Sequence, residues 1–473
     1  NDSVLRLEDD LTITYNGEKT FKALELNGKI LTLGSASTDL KVLDSLTISS
    51  NTLKTGDADL TVAVTLSTNS LIDSTGGTLK ISGTVDNSSE IAIPGTGLLL
   101  NGDLAFAGTL TTGASTTINQ NNYELNLSSS LIKLGGGLNL AGSKTNSATR
   151  FILKADSSLA NTASLSTGIE IGSLDLNGYA LTTSMGLEIN EVLTLDASGE
   201  QLLTGSSDLT LNDSLLISNG KISSTSGIIT LESTLNLGSQ GTIEVNGGEL
   251  HVNGNISIDG GTLTLAEQSK FKLKNDITVS SNRALIFGTL DMNNRNFSFS
   301  SSQDADLTIK KAFTLNSAST LQMNGANLTF VEASTIAGVL EPTGGTLKFQ
   351  KGGSVSGTLN SKNSTLALQT ANLVFTGKLQ TNSSTTITGS NFLNLSQGPT
   401  LEAAGSLNLD GFTTGSSTVL KINADTTITR NSQFTVGSVL LAGNTLTLGS
   451  ATTDLTIDNS APAEGESAGD FKM

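Results

Sequence analysis

The chain repeats itself at short range, and this limits its possible folds more than any other feature. Residues 28–42 read GKILTLGSASTDLKV, and residues 443–457 read GNTLTLGSATTDLTI. Looser copies lie between them: SNTLKTGDADLTV at 50–62, GEQLLTGSSDLTL at 199–211 and NRNFSFSSSQDADLTI at 294–309. Within a copy the apolar residues alternate. Leu31 and Leu33 flank Thr32, Leu446 and Leu448 flank Thr447, and Leu40 with Val42 and Leu455 with Ile457 repeat the pattern. Period-two alternation bounded by Gly, Asn, Asp or Ser marks a half-buried strand. Threonine suits its outward face because a branched side chain fits the pleated surface. Short strand repeats of this kind bury their apolar face only by stacking on one another, which is the principle of a solenoid.

Helical periodicity is weak throughout. Residues 191–203 and 264–275 come nearest to it, and strand alternation describes both better. The fold class expected is therefore all-β: a single long parallel β-helix (β-solenoid) of roughly 20 coils, continuous over residues 1–457. At one strand spacing per coil this would be a rod on the order of 100 Å long. Residues 458–473 (DNSAPAEGESAGDFKM) read as a polar linker or tail. The tripeptide Gly-Thr-Leu at 77–79, 108–110, 261–263, 288–290, 345–347 and 357–359 places a glycine at a corner, where φ > 0 suits it, and the leucine as the first inward side chain. Phe297, Phe313, Phe330, Phe349, Phe375, Phe392, Phe412 and Phe434 come about once per coil of roughly 16–26 residues. That spacing predicts an aromatic column in the core; scattered core packing is the alternative. Asn27, Asn177 and Asn293 precede comparable turns and are read either as a stacked ladder or as exposed turn residues.

Composition narrows the function. A net charge of −17 without a basic stripe excludes nucleic acid and disfavours an anionic membrane as partners. No run of about 18 apolar residues suggests a transmembrane segment. Cysteine is absent, which fits an exported chain that must cross membranes unfolded. The sequence opens on Asn1, which reads as a processed product or a segment of something longer.

Catalysis finds little to stand on. The one histidine, His251, sits between Leu250 and Val252 and should point outward into solvent. No nucleophile elbow or phosphate-binding glycine loop is present. A β-helical polysaccharide lyase or hydrolase would need converging carboxylates in a cleft, with aromatic platforms for sugar rings. Aromatic residues make up 4% of the chain, and Tyr15, Tyr123 and Tyr179 lie far apart. The chain is read as a non-enzyme without a cofactor, calcium apart. Asp57 and Asp59 precede Leu60, and Asp304 and Asp306 precede Leu307. Two carboxylates at a corner could begin a site for a hard cation. The competing role is hydrogen bonding of corner backbone, which would also serve Asp39, Asp208 and Asp454.

The repeats at 28–42, 199–211, 294–309 and 443–457, with the Gly-Thr-Leu corners, resemble the β-helical stalks of large bacterial surface proteins: autotransporter passenger domains and filamentous-haemagglutinin-like adhesins. The resemblance covers nearly the whole chain and carries over no functional residue. It implies an extracellular or cell-surface location. Neither terminus shows a helical cap, so either caps were removed or the ends meet other copies. The near-identical first and last repeats suggest that the array restarts in a longer polypeptide or in the next subunit. Head-to-tail contact between copies would give a structural filament subunit. The alternative is an adhesin shaft presenting a binding face to cell-surface glycans or a host surface. A carbohydrate-active enzyme is the third reading.

Overall fold

The computed structural model describes residues 3–458 except 68, 94, 96, 114–115, 120–122, 141–142, 161–167, 301–305, 390–392, 398, 411 and 450–451. Of the tail read at 458–473, all but Asp458 lies outside the described residues. Those that are described form short strands joined by turns, without a helix. Strands pair in parallel, each with the strand one coil further on. Ile169 pairs with Leu187 and Ser157 with Leu181, so a coil takes 18 to 24 residues. The chain is a parallel β-solenoid of about 21 turns. It divides into two compact units, Asn1–Ser233 with Gln240–Ile243, and Thr234–Ser239 with Glu244–Met473.

In the first unit a nine-stranded parallel sheet runs from the strand Leu11–Ile13 to the strand Ser173–Asp175. Its register stacks Leu11, Leu31, Leu53, Ile72, Ile91, Leu110, Ile132, Phe151 and Leu174 in one inward column. All but Leu11 are buried. Alternation does this directly: with a period of two, constant register puts every second residue of every coil inside. Each such side chain contributes about 1.5–3 kcal/mol on burial.

Between residues 285 and 413 all the described strands but Thr289–Asp291 fall in three parallel sheets. Two are six-stranded, from Leu285–Phe287 to Thr386–Gly389 and from Thr314–Leu315 to Phe412–Thr413. The third contains the strands Phe297–Phe299, Thr320–Gln322, Val339–Glu341, Thr358–Asn360 and Lys378–Gln380. Leu285, Leu307, Leu328, Leu347 and Leu366 form one fully buried column, and Phe287, Ile309, Phe330, Phe349 and Leu368 another.

The single phenylalanine column expected over 297–434 is not formed. Only Phe330 and Phe349 share a register position, with ring centroids 5.1 Å apart. Phe313 stacks on Phe330 at 5.3 Å from outside that column, and Phe271 stacks on Phe287 at 4.4 Å. Phe297 lies on a different sheet from Phe330, and Phe375 and Phe412 lie on a third. Phe392 falls outside the described residues. Phenylalanine spacing drifts against coil length, so the rings pass from face to face of a coil and form short stacks.

The Gly-Thr-Leu corners hold, for a different reason from the one expected. The leucine is buried in all six. Of the six glycines only Gly77 has positive φ, at +69°. At Gly357 a Cβ would lie 2.1 Å from the carbonyl oxygen of Gly338, and at Gly345 it would lie 2.2 Å from that of Ala326. Close approach of one coil to the next excludes a side chain there.

Two substitutions test this packing. Phe349→Ala should destabilise the second unit by about 3–5 kcal/mol. Gly357→Ala should also destabilise it, although alanine is tolerated at most backbone angles. Both are read from urea denaturation followed by circular dichroism, with hydrogen exchange over residues 330–368. A shift below about 1 kcal/mol for Phe349→Ala would contradict the buried stack.

Candidate functional site

The aspartates singled out by sequence lie in hydrogen bonds that run from coil to coil. Asp59 Oδ1 accepts the Thr78 N–H at 2.7 Å, and the Asp59 N–H donates to Asp39 Oδ1 at 3.0 Å. Asp59 Oδ2 lies 4.0 Å from Lys80 Nζ. Asp57 is exposed and accepts the Thr75 hydroxyl at 3.1 Å. Asp306 Oδ1 accepts the Asn327 N–H at 3.3 Å; Asp304 lies outside the described residues. The same bond recurs from Asp10 to Ile30, Asp208 to Ile228, Asn255 to Thr278, Asn327 to Thr346 and Asp425 to Thr445. A side-chain oxygen of the lower coil meets a corner N–H of the upper one and continues the ladder where a strand begins. Asn serves as well as Asp, so the role needs an acceptor oxygen and no charge. Among the described residues no three His, Cys, Asp or Glu side chains gather in a way that could hold a metal ion.

Asn27, Asn177 and Asn293 are exposed turn residues in the left-handed conformation, with φ of 48°, 49° and 47°. Each donates its amide to a carbonyl one coil back, at Leu7, Leu153 and Leu273. Asparagine tolerates that conformation better than most residues because its short polar side chain bonds locally.

Two polar clusters were not legible from residue type. On the strand Glu249–Val252, His251 points outward, yet its side chain is only 15% exposed. Its expected solvation is replaced by contact: Nε2 lies 2.7 Å from Glu249 Oε2, and Lys272 sits beside it in register. Lys270, one coil above Glu249, bonds Glu249 Oε1 at 2.9 Å. The hydrogen bonds from Lys270 and His251 outweigh burial and hold the Glu249 carboxyl below its ordinary value, while the bond to Glu249 raises Lys270. The second cluster centres on buried Glu402. Its Oε2 accepts from Gln380 Nε2 at 2.8 Å and Asn423 Nδ2 at 3.2 Å, and its Oε1 lies 2.9 Å from Lys378 Nζ. Burial pushes Glu402 up, but the bonds from Gln380 and Lys378 prevail and the net shift is downward. Coil spacing was the available signal, since Glu402 pairs in register with Gln380 and Lys270 with Glu249. Neither cluster places a base beside a nucleophile.

A shallow cleft of about 380 Å³ lies where the strand Leu285–Phe287 opens a new sheet. It is lined by Thr262, Thr264, Arg283 and Ile286 among others, and Ile286 is exposed in it. Among the described residues no helix is long and apolar enough to cross a membrane. No protein-family model, curated protein or solved structure matches the chain.

Asp59→Asn should keep the stability of the parent, because Asn fills this role at 255 and 327. Asp59→Ala should cost about 1 kcal/mol. Equal losses for the two on thermal melting would show that charge, and not the acceptor oxygen, matters at the corner. Glu249 gives a pH test. A carboxyl with a lowered folded pKa contributes stability above its unfolded pKa, and that contribution is lost as pH falls through the folded value. The parent should therefore lose more stability than Glu249→Gln on acidification below 4.5, the ordinary glutamate value.

Proposed function

We propose that the chain is an extracellular structural protein of the bacterial cell surface or matrix, a filament subunit that joins other copies end to end. The observation that carries this reading is the state of the outermost described coils. Leu448 and Ile457 in the last coil and Leu11 in the first belong to inward positions yet stand exposed. Among the described residues, the strands at both places have a hydrogen-bonded partner on one side only. Elsewhere such side chains are covered by the next coil. Buried apolar columns and coil-to-coil backbone bonds suit a load-transmitting shaft, and neither polar cluster resembles a catalytic arrangement. The reading is non-catalytic and needs no cofactor. An adhesin shaft resembling the stalks of bacterial surface proteins is the second reading, favoured by the cleft with exposed Ile286. It would bind glycan or host surface through that face.

Negative-stain electron microscopy with sedimentation velocity over a hundredfold concentration range tests the assembly. Filaments that lengthen with concentration are expected. A strictly monomeric profile throughout would overturn the filament reading. Glycan binding lost in Ile286→Ser, with the monomer otherwise intact, would transfer the function to the adhesin reading.

A further inference from the structure

The last two coils duplicate the first two in sequence and in structure. Residues 4–20 (VLRLEDDLTITYNGEKT) align without gaps on 419–435 (VLKINADTTITRNSQFT), and 28–42 on 443–457, both at an offset of 415 residues. The ladders keep that offset. Leu11↔Leu31 becomes Thr426↔Leu446, Val4↔Ala23 becomes Val419↔Ser438, and Lys19↔Leu40 becomes Phe434↔Leu455. So do the side-chain bonds. The Asp10 to Ile30 contact recurs as Asp425 to Thr445, and Thr38 capping Tyr15 recurs as Thr453 capping Arg430. Even the left-handed pair Asn27 and Gly28 (φ 48° and 80°) returns as Ala442 and Gly443 (φ 50° and 82°).

The duplication shows what each outer edge looks like when covered. The coil at 28–42 carries another coil above it, through Leu31↔Leu53 and Leu40↔Leu60. There Leu33 and Val42 are each 4% exposed, whereas their equivalents Leu448 and Ile457 are each 39% exposed. The first coil's equivalent, 416–436, rests on a coil below it through Thr400↔Val419 and Gly405↔Thr426. There Thr426 is 2% exposed, against 36% for its counterpart Leu11. The chain thus contains the upper face of its last coil and the lower face of its first coil, each already docked.

We propose that the edge formed by Ser438–Leu440, Leu446–Leu448 and Leu455–Ile457 is a docking surface for the first coil of a second copy of this chain. The strands Val4–Arg6, Leu11–Ile13 and Lys19–Phe21 of that copy continue the three ladders in parallel. The register sets Ser438 against Val4, Thr447 against Thr12 and Thr456 against Thr20, with Ile13 closing over Leu448 and Phe21 over Ile457. Asp454 holds the place of Asp39, whose carboxylate takes a corner N–H of the coil above, and the docked copy offers the Glu18 N–H there. This rests on the end-to-end reading and adds the faces and the register.

The chain has no cysteine, so single replacements report contacts cleanly. Thr12→Cys and Thr447→Cys are outward positions, which the register would bring to one strand spacing, about 4.8 Å, within disulfide reach. Mixing the two single variants under oxidation should give a covalent dimer, at least tenfold more than either variant alone or the out-of-register mixture of Thr20→Cys with Thr447→Cys. Leu448→Asp with Ile457→Asp should reduce that dimer at least tenfold in the Thr447→Cys chain while circular dichroism stays unchanged. Filaments in the microscope without the mixed dimer would overturn this register and leave the end-to-end reading standing. Monomers at every concentration would overturn both. Shielding of Thr447→Cys from a thiol reagent in the monomer would show that residues 459–473 cover the edge, and would overturn the proposal.

Discussion

Everything in this fold depends on one constraint: each coil must return to its starting face after nearly the same path, so that backbone N–H and C=O groups meet those of the coil before. Once this holds, register is inherited. A side chain that points inward in one coil points inward in the next, and columns such as Leu285 to Leu366 follow. The energy is distributed in the same way. No coil has a core of its own; each borrows the apolar surface of two neighbours, so stability is close to a sum of coil and interface contributions.

The corners make the constraint workable. A strand ladder tolerates coils of 18 or 24 residues only if the extra residues are absorbed at corners, between strands or in register shifts within the longer ones. Two devices do this. Glycine lets a corner pass close to the carbonyl below it, as at Gly357 over Gly338. Aspartate or asparagine supplies an acceptor oxygen to a corner N–H, as at Asp59 under Thr78 and Asn327 under Thr346. Acidic residues recurring before Leu-Thr motifs therefore reflect the repeat of the corner, coil after coil. This accounts for a pattern that, in the sequence, reads mainly as corner hydrogen bonding and only weakly as the start of a cation site.

Much of this was legible without coordinates, because two-residue alternation is a local property. Leu31, Leu33, Leu446 and Leu448 could be placed on the inward face from their neighbours alone, and the absence of helix followed from the absence of its period. What resisted reading was anything that depends on coil length. Phe330 and Phe349 share a register position, while Phe297 and Phe375 lie on other sheets, although all four belong to the series that comes about once per coil in sequence. For the same reason His251 could be called outward but not sheltered. Its shelter comes from Glu249 on its own strand and Lys272 one coil on, and only the register names Lys272. The glycines show a related limit. Residue type pointed to the corner, but the carbonyl behind it belongs to a segment some twenty residues away.

A stacked array has no intrinsic stopping point, and this separates it from a closed fold. A barrel removes its edges by closure; a solenoid carries the same open ladder at each end however many coils it has. Covering that ladder takes a capping element, a further coil or another chain. Cap and coil differ in what they demand of the sequence. A cap needs a polar outer face, whereas a coil needs alternation that is apolar inward and offers side-chain acceptors for the next corner N–H. The last described coil keeps the second pattern in full: Leu446, Leu448, Leu455 and Ile457 point inward, and Asp454 stands where Asp39 stands in the second coil. It has the chemistry of an interior coil, in which a neighbour on each side keeps such side chains from water.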